Sequence, residues 1–143
     1  MLLNGDSHKK IVLVDDDPVN IQICKMVLTR TIPNIEFRIF QNGLAAIEWM
    51  EDDSKEIENG GEQILLLDLN MPVLNGWGFM ERFTKFSNEL RSKFSLFILS
   101  SSIDPLDIAR AKEYSSIKQF YTKPLNYATI KNIFSLSDPA IQD

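Results

Sequence analysis

The sequence predicts an α/β fold: a doubly wound parallel sheet of five strands with helices packed on both faces. Three observations predict it. Short aliphatic runs alternate with segments of helical period five times along the chain, separated by polar turn residues. The runs are too continuously apolar for a sheet with one wet face, so they read as strands covered on both sides, the habit of parallel sheets. Asp-Pro pairs at Asp17-Pro18 and Asp104-Pro105 stand where two of the helices begin, an N-cap followed by proline at the first helical position.

The elements follow in order. "KIVLV" (Lys10 to Val14) is a buried strand, and "PVNIQICKMVLTR" is a helix with Ile23, Cys24, Val27 and Leu28 at helical spacing. "EFRIF" (Glu36 to Phe40) is the second strand. "GLAAIEWME" is the second helix, with Leu44, Ile47 and Trp49 or Met50 inward. The polar stretch "DDSKEIENGGE" reads as a frayed helix end and a surface loop. In "ILLLDLNMPVLNGWGF" the run Ile64 to Leu67 is the third strand, and a helix after Gly76 carries Phe79, Met80 and Phe83 on one face. "LFILS" (Leu96 to Ser100) is the fourth strand, "DPLDIARAKEY" a helix, "KQFYT" (Lys118 to Thr122) the fifth strand, and "NYATIKNIFSL" the closing helix, with Ile130, Ile133 and Phe134 in register.

Composition bounds the function. A chain of 143 residues, 44% hydrophobic, suits one domain with a single core. A net charge of −5 and a pI near 4.9 argue against a broad nucleic-acid footprint and favour a protein partner, a cation or a small ligand. The lone Cys24 has no partner for an internal disulfide and reads as a buried helical side chain. The N-terminus has no apolar signal-like run and no stretch reaches the length of a membrane span, so a cytoplasmic protein with no membrane contact is expected.

In a sheet of this kind ligands bind beyond the carboxyl ends of the strands, where the strand order reverses. Asp15 and Asp16 follow the first strand, Asp68 the third, Ser100 ends the fourth and Lys123 stands just past the fifth. Singly, each has a plainer reading as a cap, a turn former or a solvated charge, and Asp17 is read as a cap. Together they put five acidic, hydroxyl and basic groups on one rim. Three carboxylates brought close repel one another unless a cation neutralises them, and oxygen ligands with room for water suit Mg²⁺.

These residues resemble the receiver domain of bacterial two-component response regulators. The resemblance rests on "VLVDDDP", "LLLDLNMPVLNG", "FILSS" and "FYTKPL", in that order and at compatible spacing, with proline four and glycine eight residues after Asp68. It implies a flavodoxin-like fold with strand order 2-1-3-4-5. Residues 1–9 are then a flexible N-terminal tail, 10–136 a stand-alone receiver domain and 137–143 a C-terminal tail. It also implies a signalling protein rather than an enzyme, in which Asp68 accepts a phosphoryl group from a phosphohistidine of a histidine kinase or histidine phosphotransfer protein. Asp16, Asp68 and the backbone carbonyl of Asn70 would hold Mg²⁺ (or Mn²⁺), with Asp15 acting through water. Lys123 and Ser100 would contact the phosphoryl oxygens. Pro72, Gly76 and Pro124 would shape the loops, the Lys123-Pro124 bond matching one that is cis in the family. Phe120 and Ser100 would switch with phosphorylation, Asn70 and Ser102 would tune dephosphorylation, and a downstream protein would bind the 104–136 face.

The chain departs from the family pattern in having Ser100 where threonine is commoner, and in a longer "ENGG" loop before the third strand. Trp77, one residue beyond Gly76, is placed near the acidic pocket, and His8 is read as inert. Two other classes compete. One is a degenerate receiver that serves as an unphosphorylated scaffold, with a phosphate sink or relay as a further variant. The other is a flavin binder or an aspartate-nucleophile phosphatase. No phosphate-cradling glycine loop follows the first strand, and the second acid that such phosphatases carry two residues after the nucleophile is replaced by Asn70.

Overall fold

The computed structural model describes residues 9–101 and 104–137. Along the chain run β1 (Lys9–Val14), α1 (Pro18–Thr31), β2 (Ile35–Phe40), α2 (Gly43–Asp52), α3 (Ser54–Asn59) and β3 (Gln63–Leu67). They are followed by α4 (Gly76–Phe83), α5 (Asn88–Arg91), β4 (Phe94–Ser100), α6 (Pro105–Ala111), β5 (Ile117–Thr122) and α7 (Tyr127–Ser137). All strand pairings are parallel and the order is β2-β1-β3-β4-β5, as the sequence predicts. Each strand starts one or two residues earlier than its apolar run, because ladder pairing takes in flanking residues such as Lys9 and Gln63.

Alternation along the strands divides the core between two faces. Ile11, Leu13, Ile64, Leu66, Phe97 and Leu99 pack with Cys24 and Leu28 of α1 and with Ile130, Ile133 and Phe134 of α7. Val12, Val14, Leu65, Leu67, Leu96 and Ile98 meet the helices α2 to α6, chiefly through Met50, Phe79, Met80 and Phe83. The central strands β3 and β4 are buried from end to end, whereas the edge strands β2 and β5 are only half-buried.

Several expectations need correcting. Residues 54–59 form a helix, not a loop: its single buried side chain, Ile57, docks on the core while its other residues stay polar. A short helix at 88–91, capped by Ser87 and pinned by Leu90, has no counterpart in the sequence reading. In α1 the inward face is Asn20, Ile21, Cys24 and Leu28, with Ile23 and Val27 half-buried. In α2 it is Ala46, Ile47 and Met50, with Leu44 and Trp49 half-buried. Asp17 and Asp104 cap α1 and α6 as predicted, accepting from the backbone N–H of Val19 and Leu106. β1 starts at Lys9 and α7 runs to Ser137; residues 1–8, with His8, and residues 138–143 lie outside the described residues.

Candidate functional site

The strand order reverses between β1 and β3, and there the chain leaves the sheet at Asp15 and at Asp68. The backbone N–H of Asp68 donates to the Val14 carbonyl at 2.9 Å, which extends the β1–β3 ladder through the acid. Asp68 is therefore held by the most deeply buried part of the sheet and is itself only 5% exposed. Asp15 is 1% exposed and Asp16, one residue on, is exposed. Each of the three offers a carboxylate oxygen, and these oxygens lie within 4.8 Å of one another.

Lys123 reaches this cluster from beyond β5. Its Nζ lies 2.9 Å from Asp15 Oδ2 and 3.6 Å from Asp68 Oδ2. Burial works to lower the pKa of the ammonium, but the hydrogen bond and charge of Asp15, with the charges of Asp68 and Asp17, raise it overall. The Lys123 N–H donates to the Ser100 carbonyl at 2.8 Å, which joins the end of β4 to the loop after β5. Ser100 is fully buried at the end of β4, and the Lys123-Pro124 peptide bond is cis.

Electrostatically the cluster is short of positive charge. Burial, and then the negative charge of Asp15, push the Asp68 carboxyl up to about 6; Lys123 and the backbone N–H groups of Asn70 and Leu69 work the other way. A set of oxygen-only donors, three of them carboxylates against one ammonium, fits a hard divalent cation.

The loop from 68 to 76 is folded back on itself. Gly76 N–H donates to the Leu69 carbonyl at 2.9 Å, and a Cβ at Gly76 would lie 2.6 Å from the Asp68 carbonyl oxygen and 2.8 Å from Leu69 Cα. Only glycine allows that approach. Asn70 and Pro72 are exposed on the loop, and Val73 adopts a positive φ of 69°.

The structure thus brings Asp15, Asp16, Asp68 and Lys123 together, with Ser100 at the neighbouring strand end. Phe120 sits in β5 opposite Ile98, half-buried against the core that faces α6. Trp77 turns toward α6: its Nε1 donates to Asp107 Oδ1 at 3.1 Å, its ring stacks on Tyr114, and the Arg110 guanidinium lies 4.7 Å above it. Ser102 lies outside the described residues. One site residue escaped the sequence reading. Asn20, in the first turns of α1, is 4% exposed and donates to Asp15. Its spacing of four and eight residues from Cys24 and Leu28 was the available signal, since it puts the amide on the buried face of the helix.

A profile of the response regulator receiver domain matches residues 11–135. Among solved structures, a two component response regulator from Cytophaga hutchinsonii is 26% identical, with 91% of this chain and 96% of that one covered and a TM-score of 0.78. A response regulator receiver protein from Dyadobacter fermentans DSM 18053 is also 26% identical, with 90% and 96% covered and a TM-score of 0.73. The Mn(2+)-bound form of response regulator Rcp1 is 24% identical, with 94% and 95% covered and a TM-score of 0.69. No curated protein matches the sequence.

Proposed function

The chain belongs to the response regulator receiver domain family, and on that footing we propose that it is a phosphoryl-accepting switch of a two-component pathway, acting in the cytoplasm. Asp68 takes the phosphoryl group from a phosphohistidine on a histidine kinase or histidine phosphotransfer protein. A carboxylate oxygen attacks phosphorus, an O–P bond forms as the N–P bond breaks, and the leaving imidazole nitrogen keeps the electron pair. The product is an acyl phosphate.

The observation that carries this reading is the placement of Asp68. It sits at the end of a fully buried strand, its carboxylate 3.6 Å from an ammonium and with an oxygen within 4.8 Å of two further acids. Transfer of a phosphoryl group depends on positioning and on neutralising charge, and a nucleophile anchored in the sheet meets the first need. Lys123 and the Ser100 hydroxyl serve the second at the phosphoryl oxygens. Asp16, Asp68 and the Asn70 carbonyl are the residues that would hold Mg²⁺ or Mn²⁺, with Asp15 acting through water. Bound there, the cation supplies neutralisation of the carboxylates and of the incoming group.

Output leaves through a protein contact on the 104–136 face. α6 follows directly on the segment after Ser100, β5 carries Phe120, and Leu106 and Tyr127, both within 104–136, are exposed apolar side chains. Asn70 and Ser102 tune the loss of the phosphoryl group to water. Among the described residues no helix is long and apolar enough to cross a membrane.

Acetyl phosphate with Mg²⁺ tests the assignment, because a small acyl phosphate replaces the kinase when the site itself does the positioning. Intact-mass measurement should show one added phosphoryl group on the wild type and none on Asp68→Asn. Equal modification of both would move the phosphoacceptor elsewhere, and no modification of the wild type would favour the unphosphorylated scaffold.

A further inference from the structure

Asp15 is a buried carboxylate with three donors. Its Oδ1 accepts from the Asp17 N–H at 2.9 Å, and its Oδ2 accepts from both Asn20 Nδ2, at 2.5 Å, and Lys123 Nζ, at 2.9 Å. Lys123 is therefore engaged by Asp15 and stands farther from Asp68, at 3.6 Å. A shift of the ammonium toward oxygens carried on Asp68 would loosen its hold on Asp15. A carboxylate 1% exposed is strongly destabilised when its ion-pair partner leaves, unless other donors stay behind.

We infer that Asn20 is the donor that stays behind on Oδ2, the oxygen Lys123 gives up, while the Asp17 N–H keeps Oδ1; it is a positioning residue that lets Lys123 pass from Asp15 to a group on Asp68. The inference rests on the phosphoacceptor reading of Asp68. Three features suit Asn20 to the part. Its amide is neutral, so it binds Asp15 without competing for an anionic phosphoryl group. It is 4% exposed, and a second contact from Nδ2, to Cys24 Sγ at 3.7 Å, fixes its orientation. It also stands on a helix that is capped by Asp17 and docked on the sheet through Cys24 and Leu28, so it does not move with the loop that carries Lys123. Without Asn20, Asp15 depends more heavily on Lys123 and holds it back.

The test is a double-mutant cycle read by beryllofluoride binding at Asp68 in the presence of Mg²⁺, followed by fluorine NMR. The proteins are the wild type, Asn20→Ala, Lys123→Ala and the double variant, with Asn20→Leu alongside as a variant of similar volume in case the alanine cavity impairs folding. Losing a hydrogen bond to a charged group should weaken the adduct about tenfold in the Lys123 background. In the Lys123→Ala background the same substitution should have less than about a threefold effect, since there is no longer a lysine to release. A role confined to holding the fold would lower the melting temperature and weaken the adduct equally in both backgrounds. That result, or wild-type affinity in both Asn20 variants, overturns the inference and leaves Asp68 as phosphoacceptor. A wild type that forms no adduct overturns the phosphoacceptor reading itself.

Discussion

Replacing Asp68 by asparagine should stabilise the metal-free protein at neutral pH, although it removes the proposed phosphoacceptor. In the fold the Asp68 carboxyl stands at about 6 against an ordinary value of 3.8, and the cause is burial beside Asp15, only partly offset by Lys123 and two backbone N–H groups. A carboxyl raised in the folded state is easier to protonate there than in the unfolded chain. The folded protein then loses stability as pH rises from about 4 to about 6, and the full penalty remains above that window. A shift of about 2 units corresponds to about 3 kcal/mol. For a domain of this size that is on the order of 10 °C in melting temperature. Asparagine keeps the shape and carries no charge. Thermal melts in EDTA at pH 7.5 should therefore place Asp68→Asn well above the wild type, and at pH 4.5 the gap should largely close. Mg²⁺ added at pH 7.5 should raise the wild type and leave the variant nearly unmoved. Equal melting temperatures at pH 7.5, or a gap independent of pH, would refute the electrostatic account of the site.

Three further outcomes are expected. A beryllofluoride adduct at Asp68 should change amide hydrogen exchange in α6 and β5 as well as in the 68–76 loop, as mass spectrometry of peptides would register; a change confined to the loop would favour a phosphate sink or relay. Gly76→Ala should destabilise the domain by about 1–3 kcal/mol in urea titrations, because its Cβ would meet backbone atoms of Asp68 and Leu69 at 2.6 and 2.8 Å, and it should slow phosphorylation by acetyl phosphate. Cys24 is fully buried and its thiol is pushed up to about 12, by burial first and then by the charge of Asp15, so a maleimide should label it only after unfolding.

Much of this was legible in the amino-acid sequence, and what was not has definite physical causes. β1, β3 and β4 announce themselves because strands covered on both faces have to be apolar throughout, and the acids stand out because they interrupt that pattern. α3 and α5 were missed because each is anchored by one buried side chain, Ile57 or Leu90, which shows no period. In α1 the apolar spacing finds Cys24 and Leu28 but not Asn20 and Thr31, which are polar yet buried, because a hydrophobic pattern assigns such residues to solvent. Asp15, Asp16, Asp68 and Lys123 could be named from their strand ends. That Lys123 is already paired with Asp15, and that Asn20 shares the same oxygen, depends on side-chain geometry that no spacing encodes.

The seam between α4 and α6 gives the molecule a built-in optical reporter. Of its two indoles, Trp49 lies against Phe40 and Phe94 with the Arg38 guanidinium over it, whereas Trp77 spans from the end of the Asp68 loop to Asp107, Tyr114 and Arg110. Emission from Trp77 therefore depends on how α6 lies against α4, and emission from Trp49 on the packing of β2 and α2. With Trp49 replaced by phenylalanine, the remaining signal would follow the seam alone, in real time and without a label.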